Sequence, residues 1–239
     1  MLDLGTGLRF WGETLDPSRP FVGSALVTHI HWDHVQGLPF FTPVLKPGAR
    51  FDVYGPPQAE EGGLAAAFSE FMRPPFFPVT TKELLGDIRF HETSSEDLEL
   101  DGAKVLVRPV PHVGITNGYR VEMGGATVAY LSDHQMPTDG THTVSDAVLD
   151  LCDGVDLLIH DAQYTVAEFP AKSTWGHCTA DFALHVAREA GVRSLALFHH
   201  DPTHHDDAVD SILAYARQLA KGTSIEVLAA YEGLVVSFC

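Results

Sequence analysis

The sequence predicts a mixed α/β protein, and three stretches of its 239 residues carry that prediction. The apolar run at residues 25–27 is typical of a buried strand. Residues 88–112 alternate apolar and polar side chains, as antiparallel strands do. Residues 179–190 have the spacing of a helix, with Thr179 as its N-cap and Gly191 as its stop. Strands and helices in one chain predict sheets that are covered by helices.

The remaining elements follow from local patterns along the chain. Residues 51–55 read as a short strand that is stopped by two prolines. A hairpin is expected around Gly124 and Gly125, because paired glycines favour a tight turn. The other predicted elements are a helix at 144–152, strands at 156–159 and 194–198, a helix at 207–220, and strands at 225–228 and 234–238.

Length and composition predict one domain that covers residues 1–239, because 45% of the residues are hydrophobic and can form a large core. The 15 basic and 32 acidic residues give a net charge of −17. Such a chain lacks the basic track with which proteins displace counterions from a long nucleic acid. The composition therefore predicts a small-molecule substrate and no long nucleic-acid partner.

The cysteine content bears on the compartment. Three cysteines, Cys152, Cys178 and Cys239, do not make a disulfide framework and fit a reducing environment. No apolar run approaches the length of a membrane span, and no basic-then-apolar leader is present. We therefore expect a cytoplasmic protein that does not contact a membrane.

The most informative group of side chains follows the strand at residues 25–27. His29, His31, Asp33 and His34 fall within six residues, where a strand end leads into a helix start. Such a junction places several side chains around one point, and imidazole and carboxylate are ligands of zinc, manganese and iron. The alternative is a polar loop that is rich in histidine by chance, since the chain has 14 histidines. The spacing favours a divalent metal site.

The HxHxDH pattern of these residues resembles the signature of the metallo-β-lactamase superfamily of metal-dependent hydrolases. Later segments resemble the family's other motifs and occur in the same order along nearly the whole chain. These segments contain Pro111-His112, Ser132-Asp133, His160-Asp161, Gly176-His177 and Phe198-His199. Together they are similar to the branch that includes ribonuclease Z and the small phosphodiesterases.

The resemblance implies a four-layer αββα sandwich, in which two mixed sheets pack together and helices cover their outer faces. In the family, an aspartate at the end of an early strand supports the loop that carries the HxHxDH motif. Asp3 occupies that position here. The strands that precede this aspartate in the family are missing from this sequence. Either the start is truncated or misassigned, or a neighbouring chain covers the sheet edge.

The resemblance also implies two divalent ions and their ligands. The first ion is expected on His29, His31 and His112, and the second on Asp33, His34 and His199, with Asp133 as the bridge. His199 is chosen over His200 because it directly follows a strand, as the family's histidine does. Zinc is the first choice, with manganese or iron as alternatives. Two ions about 3.5–4 Å apart can hold a nucleophilic hydroxide between them.

The expected catalytic residues are His177, Asp161 and Asp33, of which Asp33 is also a ligand. In the similar phosphodiesterases, an acidic residue and a histidine at these positions form a couple beside the metals. A protonated imidazole can donate to a leaving alkoxide, and the neighbouring carboxylate orients the ring. The family's acid is usually glutamate, so the reach of the shorter Asp161 is an open point. The alternative is a hydrogen bond that only fixes the turn.

The motif around His112 looks more like the phosphodiesterase branch than the Gly-His-Thr-rich loop of lactonases and β-lactamases. The extended basic arm of ribonuclease Z has no counterpart here. We therefore expect a dinuclear hydrolase that acts on a small phosphodiester, with a cyclic nucleotide as one candidate. The alternatives are a lactonase or carboxylic ester hydrolase on the same scaffold, and a non-enzymatic metal-binding sensor domain.

A second segment of interest is the aromatic, proline-rich stretch at residues 72–78. One interpretation is a loop packed on the core or on a homodimer partner. The other is a wall of the substrate pocket, because apolar and aromatic side chains commonly line pockets.

Overall fold

The computed structural model describes residues 1–59 and 61–238, which divide into two compact units. The first unit is Met1–Ser94 and the second is Ser95–Cys239. Each unit has its own sheet and its own cluster of buried apolar side chains. The expectation of a single domain over residues 1–239 stays a prediction.

The first unit is built on a three-stranded sheet in which the described strands are parallel throughout. The strand order is β1-β2-β3, and helices and 3₁₀ turns make the long crossovers that parallel strands require. The elements of this unit are α1 (Gly7–Glu13), β1 (Val22–Leu26), α2 (Trp32–Val35), 3₁₀ turns at Leu38–Phe40 and Thr42–Leu45, β2 (Arg50–Gly55), α3 (Gly63–Phe71), a 3₁₀ turn at Thr81–Glu83, and β3 (Asp87–Glu92).

The core of the first unit fixes the point at which the chain leaves β1. Rings of Trp11, Phe21 and Phe41 pack together, with the Phe21 and Phe41 centroids 5.0 Å apart. Leu4 is fully buried, and its backbone N–H donates to the carbonyl of His34 at 2.7 Å. Gly37 donates in turn to the carbonyl of Leu4 at 2.8 Å. The segment before β1 is therefore hydrogen-bonded to α2 near its C-terminal end and to the residue two positions beyond it.

The second unit contains a seven-stranded sheet in its described residues, in the order β10-β9-β8-β7-β6-β5-β4. Strands β4 to β7 are antiparallel, and β7 to β10 are parallel. Asp101-Gly102 and Gly124-Gly125 make the two tight turns with positive φ that such hairpins favour. The elements are β4 (Asp97–Leu100), β5 (Ala103–Pro109), β6 (Asn117–Met123), β7 (Ala126–Leu131), α4 (Asp146–Cys152), β8 (Leu157–Asp161), α5 (Phe169–Lys172), α6 (Ala180–Glu189), β9 (Ser194–Phe198), α7 (Asp206–Leu219) and β10 (Glu226–Ala229).

The parallel half of this sheet carries candidate site residues at one edge. Strands β7, β8 and β9 run in the same direction, so their carboxyl ends lie side by side. Asp133 follows β7, Asp161 is the last residue of β8, and His199 follows β9. Open α/β sheets bind their ligands at this edge.

The predicted mixed α/β class with two sheets is confirmed, although the smaller sheet is parallel rather than mixed. Helix α6 begins after the predicted N-cap Thr179, and Gly191 follows its end with φ +65°. The predicted strand at residues 234–238 is wrong, because this stretch has no strand structure and Val235 is 83% exposed. A β-forming sequence without a partner strand makes no ladder.

Cys152 and Cys178 are buried and free, while Cys239 lies outside the described residues, as does Glu60. The cytoplasmic location that we inferred from the cysteines stays a prediction. Across residues 1–59 and 61–238, no helix has both the length and the apolar character needed to cross a bilayer.

Candidate metal centre

The metal loop, residues 28–34, follows β1 and includes the first residues of α2. His31 has extended backbone angles (φ −64°, ψ 151°), so the chain turns sharply as it enters the helix. The Nε2 atom of His29 lies 2.8 Å from Nδ1 of His31, and the rings of His29 and His34 are 4.3 Å apart. Two imidazole nitrogens at such a separation share either a proton or a cation. The loop therefore gathers donor atoms that suit a metal ion.

Asp3 supports the metal loop through both of its carboxylate oxygens. The backbone N–H of Thr28 donates to Oδ1 at 2.6 Å, and Nδ1 of His34 donates to Oδ2 at 2.8 Å. Because Nδ1 is used in this way, Nε2 is the atom with which His34 can bind a metal. Asp3 is buried and has φ +53°, which is uncommon for a residue other than glycine and typical of functional sites. The supporting role predicted for Asp3 is thus observed.

Asp133 is the centre of a second group, which lies entirely within the second unit. Its Oδ2 atom is 3.7 Å from Nε2 of His112 and 3.7 Å from Nδ1 of His177, and its Oδ1 atom is 3.7 Å from Nε2 of His199. These distances exceed a hydrogen bond. They are shorter than about 4.2 Å, the sum of two metal–ligand bonds. One ion can therefore contact the Asp133 carboxylate and a neighbouring imidazole at the same time.

His112 is oriented by the chain that precedes α6. Its Nδ1 atom donates to the carbonyl of Gly176 at 2.6 Å, which turns Nε2 towards Asp133. Gly176 has φ +97°, and a Cβ atom there would lie 2.3 Å from Nδ1 of His112. The N–H of Gly176 donates to Oε1 of Gln135 at 2.8 Å. Only glycine fits this approach of backbone to imidazole.

His199 and His200 face different partners. His199 has φ +56° and directs Nε2 to Asp133, while its Nδ1 atom lies 3.1 Å from the side-chain amide of Gln163. His200 instead donates from Nε2 to the carbonyl of Ala230 at 3.1 Å. Burial lowers the pKa of His200, and the neighbouring imidazoles act in the same direction. This geometry favours His199 as the ligand, and that role stays a prediction.

Asp161 is held by backbone amides as well as by a side chain. The N–H groups of His134 and Gln163 donate to its two oxygens at 3.0 and 2.9 Å, and His177 donates from Nδ1 at 2.8 Å. The carboxylate is completely buried. An acceptor fixed by three donors gives the His177 ring a defined orientation.

The structure brings the predicted residues together as two sets, one in each unit. The first unit gathers His29, His31, Asp33 and His34, and the second gathers His112, Asp133, Asp161, His177 and His199. The donors are imidazole nitrogens and carboxylate oxygens, a set that suits zinc, manganese or iron. Cys178 donates its S–H to the carbonyl of Asp161 at 3.0 Å, and burial raises its pKa well above the ordinary value, so it packs as a neutral thiol.

Several supporting residues escaped the sequence interpretation. His134 and His160 form a buried pair, with Nδ1 of one 2.9 Å from Nε2 of the other. Burial lowers the pKa of both rings, and so keeps them neutral. The pairing joins β8 to the residue after Asp133, and nothing in the local sequence predicts a contact between positions 26 residues apart.

An ion pair and a histidine–carboxylate hydrogen bond connect the segment that contains α5 to the loop after β9. Lys172 donates to Asp201 at 2.7 Å, and His204 donates to Glu168 at 2.8 Å. Burial alone would raise the pKa of Glu168, but hydrogen bonds from His204 and Thr165 outweigh it and lower the pKa to about 2. The network fixes the chain between Asp161 and His177, although neither pair follows from sequence spacing.

The family model described as "Beta-lactamase superfamily domain" matches residues 13–200, which is more than half of the chain. The chain belongs to this family. Superfamily members of this kind are hydrolases that bind divalent metals such as zinc, and the chain is accordingly a metal-binding hydrolase with the metallo-β-lactamase fold. This assignment argues against the alternative of a non-enzymatic sensor domain.

One similar relative is ribonuclease Z from Haloferax volcanii, which is 29% identical over 84% of this chain and 75% of its own length. Among solved structures, the short form of human tRNase Z matches with a TM-score of 0.69 and 22% identity, over 99% of this chain and 84% of its own. A diphosphatase of the PhnP family matches with a TM-score of 0.68 and 24% identity, over 99% and 79% of the two chains.

The exclusion of long nucleic-acid partners is wrong. It rested on the net charge of −17, yet the relatives that match are named ribonuclease Z and tRNase Z. A substrate responds to the local potential of the site that binds it, and the charge of the whole chain is a poor guide to that potential. Bound divalent cations would add positive charge where a phosphate binds.

Proposed function

We propose that this hydrolase is a metal-dependent phosphodiesterase, and that small phosphodiesters, cyclic nucleotides among them, are its substrates. The observation that carries the proposal is the convergence on Asp133 of three imidazoles, one of which, His177, is hydrogen-bonded to Asp161. Metal ligands next to an oriented acid are what the cleavage of a phosphodiester requires, because its leaving alkoxide needs a proton.

Seven of the side chains described above are the proposed metal ligands, and they divide between two ions. His29, His31 and His112 would hold one ion, Asp33, His34 and His199 would hold the other, and Asp133 would contact both. When bound, divalent ions lower the pKa of a water and polarise the phosphoryl oxygen. The donor types support this set. Asp3 and Gly176 accept from the Nδ1 atoms of His34 and His112, so Nε2 would be the metal-binding atom of each ring.

The protein's own contribution to bond cleavage would come from His177. Asp161 holds Nδ1, so Nε2 is the ring atom that can deliver a proton to the departing oxygen. Asp161 would be a positioning residue, since it touches His177 and not the substrate. The stacking of His177 on His199, with ring centres 5.0 Å apart, restricts the imidazole further.

One substrate panel tests the reaction class. Metal-loaded protein is assayed with bis(p-nitrophenyl) phosphate, p-nitrophenyl acetate and a lactone. We expect turnover of the phosphodiester, whereas preferential turnover of the acetate or the lactone would contradict the proposal and indicate a carboxylic ester hydrolase. Elemental analysis of the same sample is expected to give about two ions per chain, and one ion or none after reconstitution would contradict the dinuclear arrangement.

A second candidate is the processing of RNA, which the ribonuclease Z relatives favour. Both candidate functions cleave a phosphodiester bond, and they differ in the size of the substrate. A precursor tRNA added to the panel separates them. Higher kcat/KM on the precursor than on any cyclic or dialkyl phosphodiester would establish RNA processing as the function.

A further inference from the structure

The first unit contains a concave apolar surface beside the metal loop. It encloses about 510 Å³ and is formed by α2, the 3₁₀ turn after it, α3 and the proline-rich segment at residues 72–78. We call it the aromatic groove. Its principal side chains are Trp32, Phe40, Glu70, Phe71, Phe76 and Phe77.

Large aromatic rings in this groove are left open to solvent. Trp32 is 70% exposed, Phe76 is 69% exposed and Phe40 is 58% exposed. Single exposed apolar residues are ordinary, but several that line one concavity mark a surface that binds something. Phe40 also meets Phe77 edge to face, with centroids 6.3 Å apart, so part of the wall is fixed by ring packing.

The groove and the metal loop share a residue. Trp32 stands between His31 and Asp33, and consecutive Cα atoms are about 3.8 Å apart. Its carbonyl accepts a hydrogen bond from Gln36 at 2.8 Å, and the adjacent Val35 is buried in the core. Trp32 is therefore anchored through its backbone while its ring stays accessible. A molecule whose phosphate lies at the metal loop has the groove directly beside it.

The charge of the groove indicates which part of a substrate it accepts. Among the described residues that line it, Glu70 carries the one charge, and Arg73 pairs with Glu70 at 2.7 Å. This ion pair leaves the groove without a net charge to attract an anionic phosphate, whereas an uncharged planar group is favoured against aromatic faces. Stacking on such rings is how proteins hold nucleobases without reading their sequence.

We propose that the aromatic groove binds the base of a small nucleotide substrate, with Trp32 and Phe76 as the stacking residues. This inference rests on the proposed phosphodiesterase function and specifies its substrate class. It also favours the interpretation of residues 72–78 as a pocket wall.

The test compares two cyclic phosphodiesters that differ in the base. Adenosine 2′,3′-cyclic phosphate carries one, and glycerol 1,2-cyclic phosphate presents the same five-membered ring without it. Base stacking contributes about 1–3 kcal/mol, so we expect kcat/KM to favour the nucleotide by about 5- to 150-fold. Phe76→Ala and Trp32→Ala should reduce this ratio, and Trp32→Phe should recover part of it. Phe10→Ala, which removes an equally exposed ring outside the groove, should leave it unchanged.

A binding measurement separates this inference from the proposed function. Calorimetric titration with adenosine 5′-monophosphate and with ribose 5-phosphate needs no turnover. Tighter binding of the nucleotide that is lost in Phe76→Ala supports the groove even if no diester is cleaved, in which case the proposed function alone fails. Equal binding of the two ligands, or equal binding by the wild type and Phe76→Ala, overturns the inference.

Two other results, each indicating a different occupant of the aromatic groove, would also overturn the inference. If Phe76→Ala changes the sedimentation coefficient and leaves the substrate ratio unchanged, the groove is a contact between two copies of the chain. If the same variant impairs cleavage of an RNA and leaves the nucleotide diester unaffected, the groove serves a long substrate.

Discussion

The Nδ1 atom of His177 lies 2.8 Å from Oδ2 of Asp161, although the resemblance implies a longer glutamate at the acidic position. Asp161 reaches the ring because it is the last residue of β8, where the backbone amides of His134 and Gln163 fix its carboxylate. The open point about its reach is therefore resolved by geometry. The role of the pair in catalysis stays a prediction.

The first prediction concerns proton donation by His177. His177→Ala should retain both metal ions and lose about 10²- to 10⁴-fold in kcat on diesters with alkoxide leaving groups. Diesters that release p-nitrophenolate, which hardly needs a proton, should lose much less. Kinetics on the two classes of leaving group, with elemental analysis of each sample, make the comparison. Equal losses on both classes, or a loss of metal, would show that His177 is not the general acid.

Asp161→Asn is the matched test of orientation. The substitution preserves size but leaves one acceptor oxygen, so the side chain cannot accept from His177 and His134 on one side and from Gln163 on the other at the same time. We expect the same dependence on leaving group as in His177→Ala, with a smaller loss. If the kinetics and the stability of this variant are unchanged, the hydrogen bond between Asp161 and His177 has no role in catalysis or in folding.

Asp3→Asn should weaken metal binding without distorting the backbone, because asparagine tolerates the positive φ of this position. Loss of the charged acceptor for His34 should lower metal affinity by about 10- to 100-fold, as measured by competition with a chelating dye. Asp101→Asn provides the control, since Asp101 also has positive φ but lies in the β4–β5 turn. Equal effects of the two substitutions would contradict the supporting role of Asp3.

Gly176→Ala tests the contact with His112. Any residue with a Cβ pays about 1–2 kcal/mol for the left-handed conformation, and here the new atom would also displace the imidazole. At Gly191 the φ angle is likewise positive, but a Cβ would meet nothing within 4 Å. Urea unfolding should therefore show a larger loss for Gly176→Ala than for Gly191→Ala, together with lower metal content in the first variant only. Similar losses of stability and of metal content in both variants would mean that the close contact with Gly176 does not hold His112.

The pair of Glu168 and His204 predicts a defined loss of stability in acid. Hydrogen bonding lowers the pKa of Glu168 to about 2, below its ordinary value near 4.5. A carboxylate whose pKa is lowered by folding stabilises the native state above its ordinary pKa, and this contribution disappears as the pH falls from about 4.5 to 2. Urea unfolding of metal-free protein at pH 5 and pH 3 should show the decrease.

Glu168→Gln should have a smaller decrease over that interval, because glutamine has no proton to gain. Glu13→Gln is the control, since Glu13 pairs with Arg9 on the open surface, where ion pairs contribute little. The prediction fails if Glu168→Gln keeps the full acid dependence of the wild type.

Local patterns in the sequence were sufficient for the features that are themselves local. The strand before the metal loop, the N-cap Thr179 and the histidines of residues 28–34 are each specified by a few neighbouring residues. Family resemblance added His112, Asp133, Asp161 and His177, which lie far apart in the chain but occur in recognisable motifs. Asp133 and Asp161 come together because β7 and β8 are parallel and end at the same edge, and the loops that carry His112 and His177 reach Asp133 from other elements.

The features that were missed depend on contacts between distant positions. Lys172 pairs with Asp201 across 29 residues, and His204 pairs with Glu168 across 36. A strand was predicted wrongly at residues 234–238 because β-propensity does not tell whether a partner strand is available. Long nucleic-acid partners were excluded wrongly from net charge, since summing charges over the chain loses their distribution.

Asp3 has a consequence for the order of events in folding. The residues of the metal loop are adjacent in sequence, yet their support comes from a carboxylate that is 25 residues from Thr28 and 31 from His34. Contacts of such separation form only after the intervening chain has been organised, at a cost in loop entropy. High-affinity metal capture should therefore follow the assembly of the parallel sheet, so added zinc should slow unfolding more than it accelerates refolding.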